Sequence, residues 1–153
     1  MKIAPEIIRD VLENMVPFNS FLGIQCTKVE PGFCRLELEY RPELIGDPLR
    51  RAIHGGVLST LIDTCGGACV WSKLEAVDAV STVDLRVDFL QPGGEERVVA
   101  EANLVRLGNR VAVVDMRAFH PSAPERTIAT GKGVYNIRRK RGTEPVPPGG
   151  GPA

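Results

Sequence analysis

The stretch His54-Gly55-Gly56-Val57-Leu58-Ser59-Thr60-Leu61-Ile62-Asp63-Thr64-Cys65-Gly66-Gly67, HGGVLSTLIDTCGG, decides the reading of this chain. Stepping about 100° per residue, Val57, Leu58, Leu61, Ile62, Cys65, Ala68 and Cys69 form one apolar helix face. Asp63 points roughly 170° away from the centre of that face, among Gly56, Ser59, Thr60, Gly66 and Gly67. A helix with its outer side in water would carry Lys, Glu and Arg there, which have higher helix propensity. Each interior glycine costs about 0.5–1 kcal/mol relative to alanine. Gly66 and Gly67 therefore predict a close neighbour, and a second protein chain is the natural candidate. The periodicity predicts a helix over about His54 to Lys73.

Working outward, Ile7, Ile8, Val11, Leu12 and Met15 behind Pro5 predict a short amphipathic helix. PFNSFLGIQCTKVEPGFCRLELEY reads as a lead-in followed by a hairpin. Its strands lie near Gly23–Glu30 and Phe33–Tyr40, and the chain turns at Pro31-Gly32. RPELIGDPLRRAI is a connection to the long helix. After the helix the period changes to two. STVDLRVDFL places Val83, Leu85, Val87 and Phe89 on one face and Thr82, Asp84, Arg86 and Asp88 on the other. Further strands are expected near Arg97–Leu107, Arg110–Phe119 and Thr127–Arg138. Two strands, one long helix and four strands make an α+β order. One helix cannot cover both faces of a six-stranded sheet, but it can lie in the concavity of a curved one. The expected organisation is one domain over 1–140 and a disordered Pro- and Gly-rich tail over 141–153.

Composition removes several function classes. Lys plus Arg and Asp plus Glu balance at 19 each, so no global field points to nucleic acid or to an acidic membrane surface. No apolar run approaches the ~18 residues of a membrane span, and MKIAPEIIRDVLEN lacks the apolar core of a signal peptide. With two histidines and no C-x-x-C among Cys26, Cys34, Cys65 and Cys69, a zinc site has few ligands. Cys65 and Cys69 read as buried thiols on the apolar stripe. The expectation is a reduced, cytoplasmic protein without metal or cofactor. A G-x-S-x-G elbow, a Walker A loop and the dinucleotide glycine fingerprint are all absent.

The chemistry concentrates on the long helix. Backbone N–H groups at His54-Gly55-Gly56 lack intrahelical partners and carry the positive end of the helix dipole, so they can hold a negative oxygen. That is half of a hydrolytic site, an oxyanion hole. Asp63 supplies the other half, as base or nucleophile. Eight residues at 1.5 Å each separate Gly55 from Asp63 by about 12 Å, so one carbonyl cannot touch both within one chain. An antiparallel two-fold dimer would bring Gly55 of one chain beside Asp63 of the other and create two equal sites. The bland readings are a Gly-Gly turn, a solvated Asp63 and a His54 that caps the helix. For His54 the cap is preferred over a catalytic imidazole.

The entry motif PFNSFLGI, the helix HGGVLSTLIDTCGGA, the strand STVDLRVDFLQP, the hairpin LGNRVAVVDM and the strand IATGKGVYNI carry a resemblance. Over roughly Pro17 to Arg138 the chain resembles the hotdog-fold thioesterases, in particular their phenylacetate-degradation (PaaI-like) branch. The resemblance implies a curved antiparallel sheet of about six strands wrapped around one long helix, and a homodimer that pairs into a dimer of dimers. It implies hydrolysis of an acyl-CoA, with coenzyme A as part of the substrate rather than a cofactor. Gly55 matches the glycine whose N–H polarises the thioester carbonyl, and Asp63 matches the carboxylate acting from the other subunit. Thr82 matches the Ser/Thr that orients water, with Ser81 as the competing position, and His54 matches the histidine that holds the loop.

Gly56, Arg110 and Lys132 stand as substrate-binding candidates. Arg106, Arg138 and Arg139 are further cations for the coenzyme A phosphates. Phe18, Phe21 and Leu22 read as core residues before acyl-pocket lining. The chain departs from the branch where an Asn or Gln usually stands six or seven residues before the histidine. Here Gly46-Asp47-Pro48 carries no amide. Two alternatives compete: a non-catalytic acyl-CoA sensor, and a hotdog dehydratase or hydratase, for which this helix lacks the paired His and acid.

Overall fold

The computed structural model describes residues 1–140; the tail predicted over 141–153 lies outside the described residues. The chain begins with α1 (Pro5–Asp10), a π-helical turn (Val11–Met15) and α2 (Pro17–Leu22). It continues through β1 (Ile24–Glu30), β2 (Phe33–Leu38), β3 (Ile45–Asp47), β4 (Ala52–Ile53) and the long α3 (Gly55–Trp71). The last elements are β5 (Ala79–Phe89), β6 (Val98–Leu107), β7 (Val111–Phe119) and β8 (Thr127–Arg138). Six strands form one antiparallel sheet in the order β1-β2-β6-β7-β8-β5, with β3 and β4 as a separate short ladder. Among the described residues no helix is long and apolar enough to cross a membrane.

The sheet curls around α3, which touches all six of its strands. Close approach requires small residues on the inner face. β6 and β7 supply Ala100, Ala102, Ala112 and Ala118, all fully buried. β8 supplies Gly131, where a Cβ would stand 2.6 Å from Ile62 Cγ2. Leu58, Leu61, Ile62, Cys65, Ala68 and Cys69 of α3 fill the concavity, as the apolar stripe predicts. Burying each large aliphatic side chain contributes about 1.5–3 kcal/mol, so this stripe fixes the helix in the sheet.

Four local expectations need correction. PFNSFLG is not a lead-in: Pro17 starts α2, and Gly23, at φ 77°, ends it with its N–H on Asn19 C=O. Phe18 and Phe21 of that helix are not core. They stack on each other at the surface, 6.3 Å apart, while Leu22 is buried. In β5 the alternation slips, because the register shifts between Thr82 and Asp84 and leaves Val83 as an exposed bulge. Thr82 therefore joins Leu85 and Val87 on the helix side. Finally, Gly66 owes its identity to its own chain. A Cβ there would sit on the Tyr135 hydroxyl and Met116 Sδ and 2.8 Å from Tyr135 Cζ. No partner chain is needed to explain it.

Candidate active site

Asp63 emerges halfway along α3, half-buried, and among the described residues no cation pairs with it. The slip in β5 aims Thr82 at it, and Thr82 Oγ1–H donates to Asp63 Oδ1 at 2.8 Å. From β8, Tyr135 O–H reaches the Asp63 C=O at 3.0 Å and Oδ1 at 3.3 Å, and contacts Met116 Sδ at 3.6 Å. Burial, and then the Asp63 carboxylate, push the Tyr135 phenol above the usual tyrosine range, so it is a committed donor. Among the described residues nothing donates to Asp63 Oδ2, and no cation pairs with the group. The carboxylate is held through one oxygen and left free at the other. Ser81, the alternative to Thr82, is exposed and pairs with Asn136 at the strand edge instead.

The start of α3 is built separately. Ile53 N–H donates to Gly93 C=O and His54 N–H to Leu44 C=O, both at 2.8 Å, which fixes where the helix begins. His54 is the N-cap, and its Nδ1 accepts the Gly56 N–H at 2.8 Å. That arrangement assigns the imidazole to the cap and occupies the Gly56 amide. Among the described residues the Gly55 N–H donates to nothing. It opens on a cavity of about 320 Å³ whose lining includes Asp47, Arg50, Phe89 and Gln91. A Cβ at Gly55 would lie 3.1 Å from Phe89 Cζ, so any side chain there would have to push the exposed ring aside by a few tenths of an ångström. Asp47 replaces the expected amide with a turn-forming carboxylate. Its Oδ1 accepts the N–H groups of Leu49 at 3.0 Å and Arg50 at 3.1 Å.

The structure therefore brings Asp63 and Thr82 together and keeps Gly55 apart from both, in a different cavity. Lys132 stands elsewhere again: its Nζ is 2.8 Å from Asp115 Oδ1, and it lies in a hollow with Arg86 and Asp88. Arg110 lines a hollow of about 500 Å³ with Asn109, Asn136, Arg138 and Arg139. Among the described residues no group of His, Cys, Asp and Glu side chains is arranged to hold a metal ion. Tyr135 and Asn19 are neighbours of Asp63 that the sequence reading missed. Asn19 is buried, donates to Leu12 C=O at 3.1 Å and lines both cavities at Asp63. For Tyr135 a signal existed. Gly131, Gly133 and Tyr135 share one strand face, so two missing side chains make room beside a large one.

The family model described as thioesterase superfamily matches residues 51–125. The medium/long-chain acyl-CoA thioesterase YigI of Escherichia coli (strain K12) is 33% identical over 123 residues, covering 72% of this chain and 79% of that protein. Among solved structures, a thioesterase family protein from Silicibacter pomeroyi superposes with a TM-score of 0.77 at 29% identity, over 85% of this chain and 94% of that one. A protein from Shewanella oneidensis related to the thioesterase superfamily gives a TM-score of 0.75 at 26% identity, over 86% and 93%.

Proposed function

The chain belongs to the thioesterase superfamily, and from that premise we propose that it hydrolyses an acyl-CoA to the free acid and coenzyme A. The observation that carries this reading is the state of Asp63, anchored at Oδ1 by Thr82 and Tyr135 and free at Oδ2. A thioester is an activated acyl group, so one oriented carboxylate and one oxyanion donor suffice without a serine.

The donor is the free Gly55 N–H, and the ~12 Å along α3 requires it to come from a second copy. In an antiparallel two-fold dimer Asp63 acts beside Gly55 of the partner subunit, and the symmetry makes a second, equal site. The partner's Gly55 amide, at the positive end of its helix, stabilises the oxygen that becomes negative as the carbonyl is attacked. Two routes begin there. As general base, Asp63 Oδ2 takes a proton from water while the water oxygen bonds to the carbonyl carbon. The C–S bond then breaks, and the thiolate takes up a proton. As nucleophile, Oδ2 bonds to that carbon, expels the thiolate and forms a mixed anhydride that water opens. After a single turnover in heavy-oxygen water, label on Asp63 marks the second route, with water opening the anhydride at the aspartyl carbon.

Arg110, in a hollow with Arg138 and Arg139, is better placed for coenzyme A phosphates than Lys132, which Asp115 already engages. Four unpaired buried cysteines fit the reducing cytoplasm, and a dimer of dimers extends the pairing. The test is thioester hydrolysis across an acyl-CoA panel by wild type and Asp63→Asn. Asparagine keeps an oxygen for Thr82 and Tyr135, so the fold persists while kcat falls about 10²–10⁴-fold. Unchanged turnover in the folded variant would remove Asp63 from the chemistry.

A further inference from the structure

Asp63 stands where two cavities meet. One has a volume of about 470 Å³ and the other about 390 Å³, and they share Val16, Asn19, Asp63 and Thr64. Their chemistry differs on the two sides of the carboxylate. Toward the start of α3 the smaller cavity is lined by the hydroxyl residues Ser59 and Thr60. Toward the end of α3 the larger one runs past Gly67, Ala68 and Trp71, beside Leu12 of the π turn and Val80 of β5. Thr64, Gly67, Ala68 and Trp71 recur at i, i+3, i+4 and i+7, so they form a single stripe leading away from Asp63.

We propose that this apolar slot receives the acyl chain and that Trp71 closes its far end, which makes medium-length straight chains the preferred substrates. The proposal rests on the acyl-CoA reading above and deepens it. Eight residues separate Asp63 from Trp71, a floor about 12 Å long at 1.5 Å per residue. An extended covalent chain advances roughly 1.2 Å per bond, so the floor spans roughly ten bonds. The slot's volume lies inside the range of ligand pockets, ~300–1,000 Å³. Among the described residues its far end offers no unpaired charge to the chain terminus, although the buried Trp71 Nε1–H has no partner there. The Asp78 carboxylate there already accepts the Glu75 N–H at 3.2 Å and an Arg139 N–H at 3.5 Å.

Gly67 provides the test. A Cβ at this position would meet only Tyr135 Cε1, at an ordinary 3.7 Å, so the fold tolerates a side chain there. Gly67→Leu also gains helix propensity, and it places its side chain across the slot one turn beyond Asp63, about 6 Å along. With straight-chain acyl-CoAs, wild-type kcat/KM should rise about fourfold per methylene and level off near ten carbons. In Gly67→Leu the ratio of kcat/KM for decanoyl-CoA over butyryl-CoA should fall about 10³-fold, since roughly five methylenes lose their contacts. Trp71→Ala should move the plateau to longer chains.

A flat wild-type profile, or equal losses at both lengths in Gly67→Leu, would overturn the slot. If no acyl-CoA turns over, calorimetry with alkyl thioethers of coenzyme A decides separately. Length-dependent binding that Gly67→Leu abolishes upholds the slot while the hydrolytic reading falls. Length-independent binding, or none, removes the slot as well.

Discussion

Gly66→Ala sets two physical effects against each other, and the structure says which wins. Alanine in a helix interior is worth about 0.5–1 kcal/mol over glycine, so α3 taken alone would be stabilised. In the folded protein the new methyl would land on the Tyr135 hydroxyl and Met116 Sδ, and 2.8 Å from Tyr135 Cζ. Both neighbours are buried, with Tyr135 only 1% exposed, so neither swings into open space. Overpacking of this kind typically costs about 1–3 kcal/mol. Displacing Tyr135 also loosens its bonds to Asp63, about 1 kcal/mol more. The net expectation is a destabilisation of about 1–3 kcal/mol. For a chain of this size that lowers Tm by roughly 3–10 °C in calorimetry. Turnover should fall with it, because Tyr135 helps to hold Asp63. In a Tyr135→Phe background the displaced oxygen is absent and the penalty for Gly66→Ala should shrink. A Tm equal to or above wild type would refute this account of Gly66 and return the glycine to a partner-chain role.

Two further outcomes follow from the same site. Asp47→Asn keeps a side-chain oxygen for the Leu49 and Arg50 N–H groups and removes a negative charge from the Gly55 cavity, so kcat should rise about two- to tenfold in steady-state hydrolysis. For Tyr135 the raised folded-state pKa fixes the sign of a pH effect. The stabilisation is complete below the unfolded tyrosine value, about 10, and is lost as pH rises above it. Phenolate absorbance from one of the two tyrosines should therefore appear together with the loss of circular dichroism rather than before it.

Much of the fold was legible because its signals are local. The stripe Leu58, Leu61, Ile62, Cys65, Ala68 and Cys69 is buried as its spacing predicts, and the period-two segments became the strands expected. The candidate site was legible through spacing, since HGG-x6-D fixes a capped helix start and a carboxylate two turns inside. The phenylacetate-degradation branch rests on the resemblance of that motif and of the entry, strand and hairpin segments quoted with it. What escaped was the content of pairing between distant strands. A one-residue bulge at Val83 turns Thr82 inward, and no count along β5 shows it, because the bulge answers to β8. Tyr135 lies 72 residues from Asp63 and meets it only after the sheet has curled. Helix α2 was a different kind of miss. PFNSFLG carries Pro at its start and Gly at its end, a local signal outweighed by the apolar run that follows.

The central claim is that one hydrolytic site is assembled from two chains, and mixing two inactive variants tests it most directly. Asp63→Asn lacks the carboxylate, and Gly55→Val sets a branched side chain beside the Gly55 amide, in the cavity onto which that amide opens. Each homodimer should be inactive. In mixed dimers an intact Asp63 faces an intact Gly55 at one of the two sites, so random remixing should restore about one quarter of wild-type acyl-CoA hydrolysis. A mixture that stays inactive although the mixed dimer forms would contradict the shared site.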